Sequence, residues 1–111
     1  MTTPAPAVAI SGITASGQTL QFSLPGSGIQ VTAAFGAVSG TSPSLQAFAD
    51  CLVGVNWVQV VELTALTAAG FEQGVGRAPV SGPPGSQQWR LRWTVSGTNP
   101  LFLGSLHAQG V

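Results

Sequence analysis

The stretch Gln88-Trp89-Arg90-Leu91-Arg92-Trp93-Thr94-Val95 decides the fold class. Trp89, Leu91, Trp93 and Val95 fall on one face, and Gln88, Arg90, Arg92 and Thr94 on the other. Alternation of period two over such a length marks an antiparallel strand with one face on a core and the other toward solvent. The same period recurs outward from this run. In 29–38, Ile29, Val31, Ala33 and Phe35 share a face, and in 18–24 Leu20, Phe22 and Leu24 do. In 45–52, Leu45, Ala47, Ala49 and Cys51 stand opposite Gln46, Phe48, Asp50 and Leu52. In 55–63, Trp57, Gln59, Val61 and Leu63 align; 101–108 closes the chain, and 8–13 and 71–80 add short strands.

The chain carries 15 glycines and 8 prolines, spread throughout, which leaves little room for a helix of ordinary length. Only 63–69 holds helix formers, and Thr64, Thr67 and Gly70 reduce it to an irregular connection or a brief turn. Gly82-Pro83-Pro84-Gly85-Ser86 reads as a loop. The expectation is therefore all-β: a small antiparallel β-sandwich of jelly-roll or Greek-key type with six to eight strands. Residues 18–111 form its single domain, and 1–17 an extended N-terminal arm or edge segment.

Composition narrows the function. Of 111 residues 44% are hydrophobic and only 5% charged, against roughly 25% charged in an ordinary soluble domain. Arg77, Arg90 and Arg92 balance Asp50, Glu62 and Glu72, so the net charge is zero, and lysine and tyrosine are absent. Three arginines cannot build the cationic stripe that displaces counterions from nucleic acid, nor a polybasic membrane-surface patch. No apolar run approaches the roughly 20 residues of a membrane span, and Met1 to Gly17 shows no secretion-signal pattern. The lone Cys51 excludes an internal disulfide. Charge repulsion normally keeps soluble domains apart. A neutral surface of Ser, Thr, Gln and Gly packs readily against other protein, including further copies of itself.

An internal echo points the same way. Val38-Ser39-Gly40-Thr41-Ser42-Pro43 returns 57 residues later as Val95-Ser96-Gly97-Thr98-Asn99-Pro100, each copy following one strand and preceding another. Turn chemistry explains the residue types, since Gly supplies unusual φ, Thr and Ser or Asn bond back to the backbone, and Pro fixes entry to the next strand. The expectation is a pair of pseudo-symmetric hairpin loops.

The run Val38 to Leu45, then Gly54-Val55-Asn56-Trp57-Val58-Gln59-Val60, then Thr67-Ala68-Ala69-Gly70, then Trp89 to Pro100 resembles a group of small tailed-phage and prophage virion proteins. Their pattern is an SGTSP turn, a DGVNW turn, a TAAG turn and a closing RVRWTVSGTSPSF hairpin, matched in order from Val31 to the end. The DGVNW element is also similar to a turn in β-sandwiches of the discoidin and galactose-binding type. Here Val53 stands where the acidic residue of that turn usually lies, so a calcium or polar-ligand role does not carry over. Such motifs are signatures of turns and core, and they specify a fold rather than a chemistry. With the neutral composition, the resemblance implies a virion structural protein, specifically a head decoration or cement protein on the capsid exterior. Its partners would be major-capsid subunits and further copies of itself, as a trimer at a symmetry axis, with many weak contacts summing by multivalency. The alternative is a glycan-binding module of a tail or fibre, and a third option is a tail component with no ligand.

The residues offer little else. His107 and Cys51 are the only members of their types, and Asp50 and Cys51, adjacent in one strand, point to opposite faces. A single strand cysteine is ordinarily a small buried hydrophobe. No short motif pairs two carboxylates, zinc lacks ligands, and Gly74-Val75-Gly76 has no phosphate-loop sequel. The expectation is no catalytic residue, no metal and no cofactor. Trp89 and Trp93 belong to the core face, whereas Trp57, opening a strand beside a turn, is the candidate glycan contact. Arg90 and Arg92 face away from the core, either solvated and paired with Glu62 or Glu72, or set against a neighbouring subunit. They are the candidate interface, together with Pro4 and Pro6 in an arm able to drape over a partner.

Overall fold

The computed structural model describes residues 8–10, 12–24, 26–80, 82 and 87–111. Pro4, Pro6 and most of the 82–86 loop lie outside them. Among the described residues the structure is all-β and antiparallel throughout, with seven strands: β1 (Val8–Ile10), β2 (Gly17–Gln18), β3 (Phe22–Ser23), β4 (Gly28–Val53), β5 (Asn56–Glu62), β6 (Gly70–Arg77) and β7 (Gln88–Gly110). Residues 63–69 are irregular, as their mixed composition requires.

Two strands are far longer than the sequence suggests. The expected strands 29–38 and 45–52 are one strand, β4, and 88–95 and 101–108 are one strand, β7. The two repeats are not hairpin loops, because they lie mid-strand and pair with each other, Thr41 opposite Thr98. Gly40 and Ser42 on one strand, and Gly97 and Asn99 on the other, take positive φ of 110°, 50°, 111° and 49°. Each repeat therefore kinks its strand and shifts the register without ending the ladder.

The kinks are related by a pseudo-two-fold through the Thr41–Thr98 pair. Ser39 opposite Leu101 maps onto Ser96 opposite Ser44, and Val38 opposite Phe102 onto Val95 opposite Leu45. Even the tethers correspond. Ile13 exchanges two backbone hydrogen bonds of 2.9 Å with Phe102, and Leu66 two of 2.9 and 2.8 Å with Leu45. The segments 8–23 and 56–77 play equivalent parts, the first running along β7 and the second along β4.

Chain reach shows what the kinks do. Straight, β7 would measure about 70 Å and β4 about 80 Å, yet the longest dimension of the molecule is 45 Å. Ser23 pairs with Gln88 at the start of β7, while Gly28 bonds Val111 just past its end. The few residues between them span at most about 18 Å. The sheet is thus folded over at the paired repeats, and its two halves face each other across one core.

Both halves supply that core. Ile29, Val31, Ala33 and Phe35 come from one end of β4, and Leu45, Ala47, Ala49 and Cys51 from the other. Trp89, Leu91, Phe102, Leu106 and Ala108 come from β7, and Phe35 meets Phe102 edge-to-face with centroids 5.7 Å apart. Two expected faces are corrected. Leu20 lies between β2 and β3 and is 89% exposed, because the run 18–24 is interrupted and carries no continuous face. In β5 and just past it, Trp57 and Gln59 lie outside while Val61 and Leu63 are buried, because a bulge opposite Ala49/Asp50 inserts Val60 and shifts the alternation by one.

Candidate functional site

The half-sheet built from the second half of β4, the first half of β7 and β5 carries a cluster of ionic and aromatic groups on its outer face. Register places it there. Phe48 lies opposite Arg92, Asp50 opposite both Arg90 and Gln59, and Leu52 opposite Trp57. Gly54, at φ 64°, supplies the positive φ that a two-residue hairpin demands at its first position, and so sets Trp57 back across from Leu52.

Asp50 is only 2% exposed although it faces outward, because two guanidinium groups cover it. Arg90 Nε donates to its Oδ2 at 2.9 Å and Arg92 Nε to the same oxygen at 2.8 Å. Arg90 Cζ sits 4.5 Å from the centroid of the Trp57 ring, and Arg92 Cζ 4.2 Å from that of Phe48. An Nη of Arg92 donates to Gln59 Oε1 at 2.6 Å. The order across the face is Phe48, Arg92, Asp50, Arg90, Trp57. A carboxylate so covered requires charged, hydrogen-bonded neighbours, and each stacked guanidinium adds about 0.5–2 kcal/mol depending on its desolvation.

The sequence placed Arg90 and Arg92 on the outer face and expected Glu62 or Glu72 as their partners. The acid they hold is Asp50. Glu62 instead accepts a 3.3 Å hydrogen bond from Gln46 Nε2, which also donates to the Leu63 carbonyl at 3.0 Å. The candidate glycan contact, Trp57, belongs to the same cluster as the candidate interface arginines, with Arg90 over one face of its ring. The sequence did not reveal the grouping: continued unbroken from Thr41 opposite Thr98, the register would set Asp50 opposite Trp89, and the one-residue shift between Thr41 and Ser44 is what brings Asp50 opposite Arg90.

Chemically the cluster is a clamp. Its carboxylate accepts from two arginines at one oxygen, and the next acid along the face, Glu62, lies opposite Phe48 and bonds Gln46. Cys51 lies in the core, where burial pushes its thiol pKa up. His107 stands on the outer face of the other half-sheet, 3.5 Å from Ser105, and cannot join a buried cysteine facing inward. Among the described residues no three of His, Cys, Asp and Glu gather as metal ligands. A shallow depression of about 300 Å³ is lined by Gln46, Glu62, Leu63, Thr64 and Ala65, with one carboxylate. Trp89 is buried, and Trp93 packs on the core and donates its indole N–H to the Ala15 carbonyl at 3.0 Å.

Among the described residues the opposite outer face has no ionic cluster. Gln30, Thr32 and Ala34 of β4 lie beside Gln109, His107 and Ser105 of β7, joined by a 2.6 Å hydrogen bond between Gln109 and Gln30. The pseudo-two-fold thus relates a charged face to a neutral one. No helix of the described residues is long and apolar enough to cross a membrane. No protein-family model, curated protein or solved structure matches the chain.

Proposed function

We propose that this chain is a non-catalytic structural protein of a tailed-phage virion, a decoration protein that binds major-capsid subunits on the outside of the head. The observation that carries the reading is the distribution of charge. Half of the charged side chains are tied into the Asp50 clamp, and the outer face of the other half-sheet presents the half-buried Gln30, Ala34, Ser105, His107 and Gln109. A rigid, folded sheet with such a face associates through area and hydrogen bonds to protein, not through charge steering. The resemblance of the two repeats, the Gly54–Trp57 segment and 89–100 to small virion proteins supports a capsid protein as the partner. Repetition over a lattice makes weak neutral contacts sufficient, and contacts between copies belong to the same reading.

The test is the composition of particles released by a lysing culture that carries this gene. Mass spectrometry of gradient-purified particles is expected to find the chain in fixed proportion to the major capsid protein. Its absence from purified particles, with free chain in the lysate, would overturn the proposal.

A further inference from the structure

The edges of the folded sheet differ in a way that points to a second copy of this chain. Along β7 the outer neighbours are fragments, β1, β2 and β3, of two or three residues each. Along the second half of β4 the edge is β5, which the Val60 bulge twists. Short and bulged edges are the usual protections against strand addition. The remaining edge is β6, eight residues in unbroken register with β4 from Gly28 opposite Arg77 to Phe35 opposite Gly70. It holds no proline and no lysine. Among the described residues no strand pairs with its outer side.

The side chains of β6 are self-complementary. Phe71 and Val75 both point outward and are 59% and 61% exposed, two residues to either side of Gln73. When two antiparallel strands pair about a two-fold through Gln73, Phe71 of each copy lies opposite Val75 of the other, and Gln73 faces Gln73. Aromatic and β-branched residues directly opposite are a favourable cross-strand pair. Glu72 of each copy then faces Gly74, so no like charges meet. From these features we infer that β6 is a homodimerisation edge. Two copies add β6 to β6 antiparallel, centred on Gln73, and join their half-sheets into one continuous sheet. The inference goes beyond the virion reading and does not depend on it.

The experiment uses the whole chain. Light scattering coupled to size exclusion over a dilution series is expected to show a species of twice 11.2 kDa that dissociates on dilution. Val75→Lys, which places a cation opposite Phe71 of the partner, is expected to leave only monomer while far-ultraviolet circular dichroism keeps its strand signal. Gln73→Cys provides an independent readout, because residues directly opposite in antiparallel strands lie within disulfide reach. Mild oxidation is expected to cross-link Gln73→Cys into a reducible dimer and to leave Arg77→Cys, off the two-fold, uncross-linked. Monomer at every concentration without cross-linking of Gln73→Cys would overturn the inference. So would a trimer, or a dimer that survives Val75→Lys and cross-links no better through Gln73→Cys than through Arg77→Cys. Particles that contain the chain without such a dimer would sink this inference and leave the virion reading standing.

Discussion

Replacing Gly97 with alanine attacks the joint on which the sheet folds. Two costs add. At φ 111° an L-residue is strained by about 1–3 kcal/mol. The new Cβ would also meet the Ser42 carbonyl oxygen at 2.6 Å and the Thr41 oxygen at 2.9 Å, backbone atoms of the facing strand that no rotamer change can move. Relieving that overlap requires the strands to part at their crossing, for a further 1–3 kcal/mol or so by analogy with overpacked cores. The expected loss is about 2–6 kcal/mol, a large share of the 5–15 kcal/mol typical of a domain. Gly40→Ala should cost nearly the same, since at φ 110° its Cβ would meet the Asn99 oxygen at 2.6 Å. The double variant should lose less than the sum, because one parted crossing relieves both. Gly36→Ala is the control: it has no atom within 4 Å and no positive φ, so its change should stay within about 1 kcal/mol. Urea unfolding followed by tryptophan fluorescence measures all four. Losses under about 1 kcal/mol for Gly97→Ala, or a Gly40→Ala effect of a different order, would refute the symmetric joint.

The clamp and the core give further expectations. Asp50→Ala leaves two guanidinium groups side by side with no carboxylate, and should destabilise by about 3–5 kcal/mol, with part of the loss recovered at high salt as the cations are screened. A change under 1 kcal/mol in urea unfolding would show that the buried carboxylate does not hold the face. Cys51 should resist thiol reagents in the folded chain at neutral and mildly alkaline pH and react on unfolding, since burial disfavours its thiolate. The raised pKa also fixes a pH dependence: the thiol's contribution is intact below its ordinary pKa and is lost as pH rises through the raised value. Stability curves between pH 7 and 11 should therefore fall more steeply for the parent than for Cys51→Ala, and parallel curves would contradict this.

Much of the fold was legible in the chain because burial imposes a period on it. The faces Ile29 to Phe35, Leu45 to Cys51 and Trp89 to Leu91 follow directly from alternation, and all are buried. What misled was punctuation. Gly, Ser or Asn, and Pro within six residues normally end a strand, and nothing local distinguishes a hairpin from a kink whose backbone groups find partners in a second kink. Only the pairing of one repeat with the other decides it, and that contact is 57 residues apart in sequence. The Val60 bulge was hidden for a related reason, because Trp57, Gln59, Val61 and Leu63 keep a perfect alternation in the sequence while the backbone shifts beneath it. The clamp was half visible. Outward-facing arginines were evident from the strand, whereas their partner depended on a register that no single strand contains. The β6 edge was visible only as a short strand, since exposure of Phe71 and Val75 follows from which neighbours the topology leaves out.

The most direct test of the functional reading is immunogold electron microscopy of intact particles, using an antibody raised against the folded chain and particles from a deletion of its gene as the blank. The account predicts label distributed over the head surface and none on the blank. Particles with unlabelled heads would contradict it, and label confined to tails or fibres would move the protein to an adhesin role in which Trp57 is the residue to test.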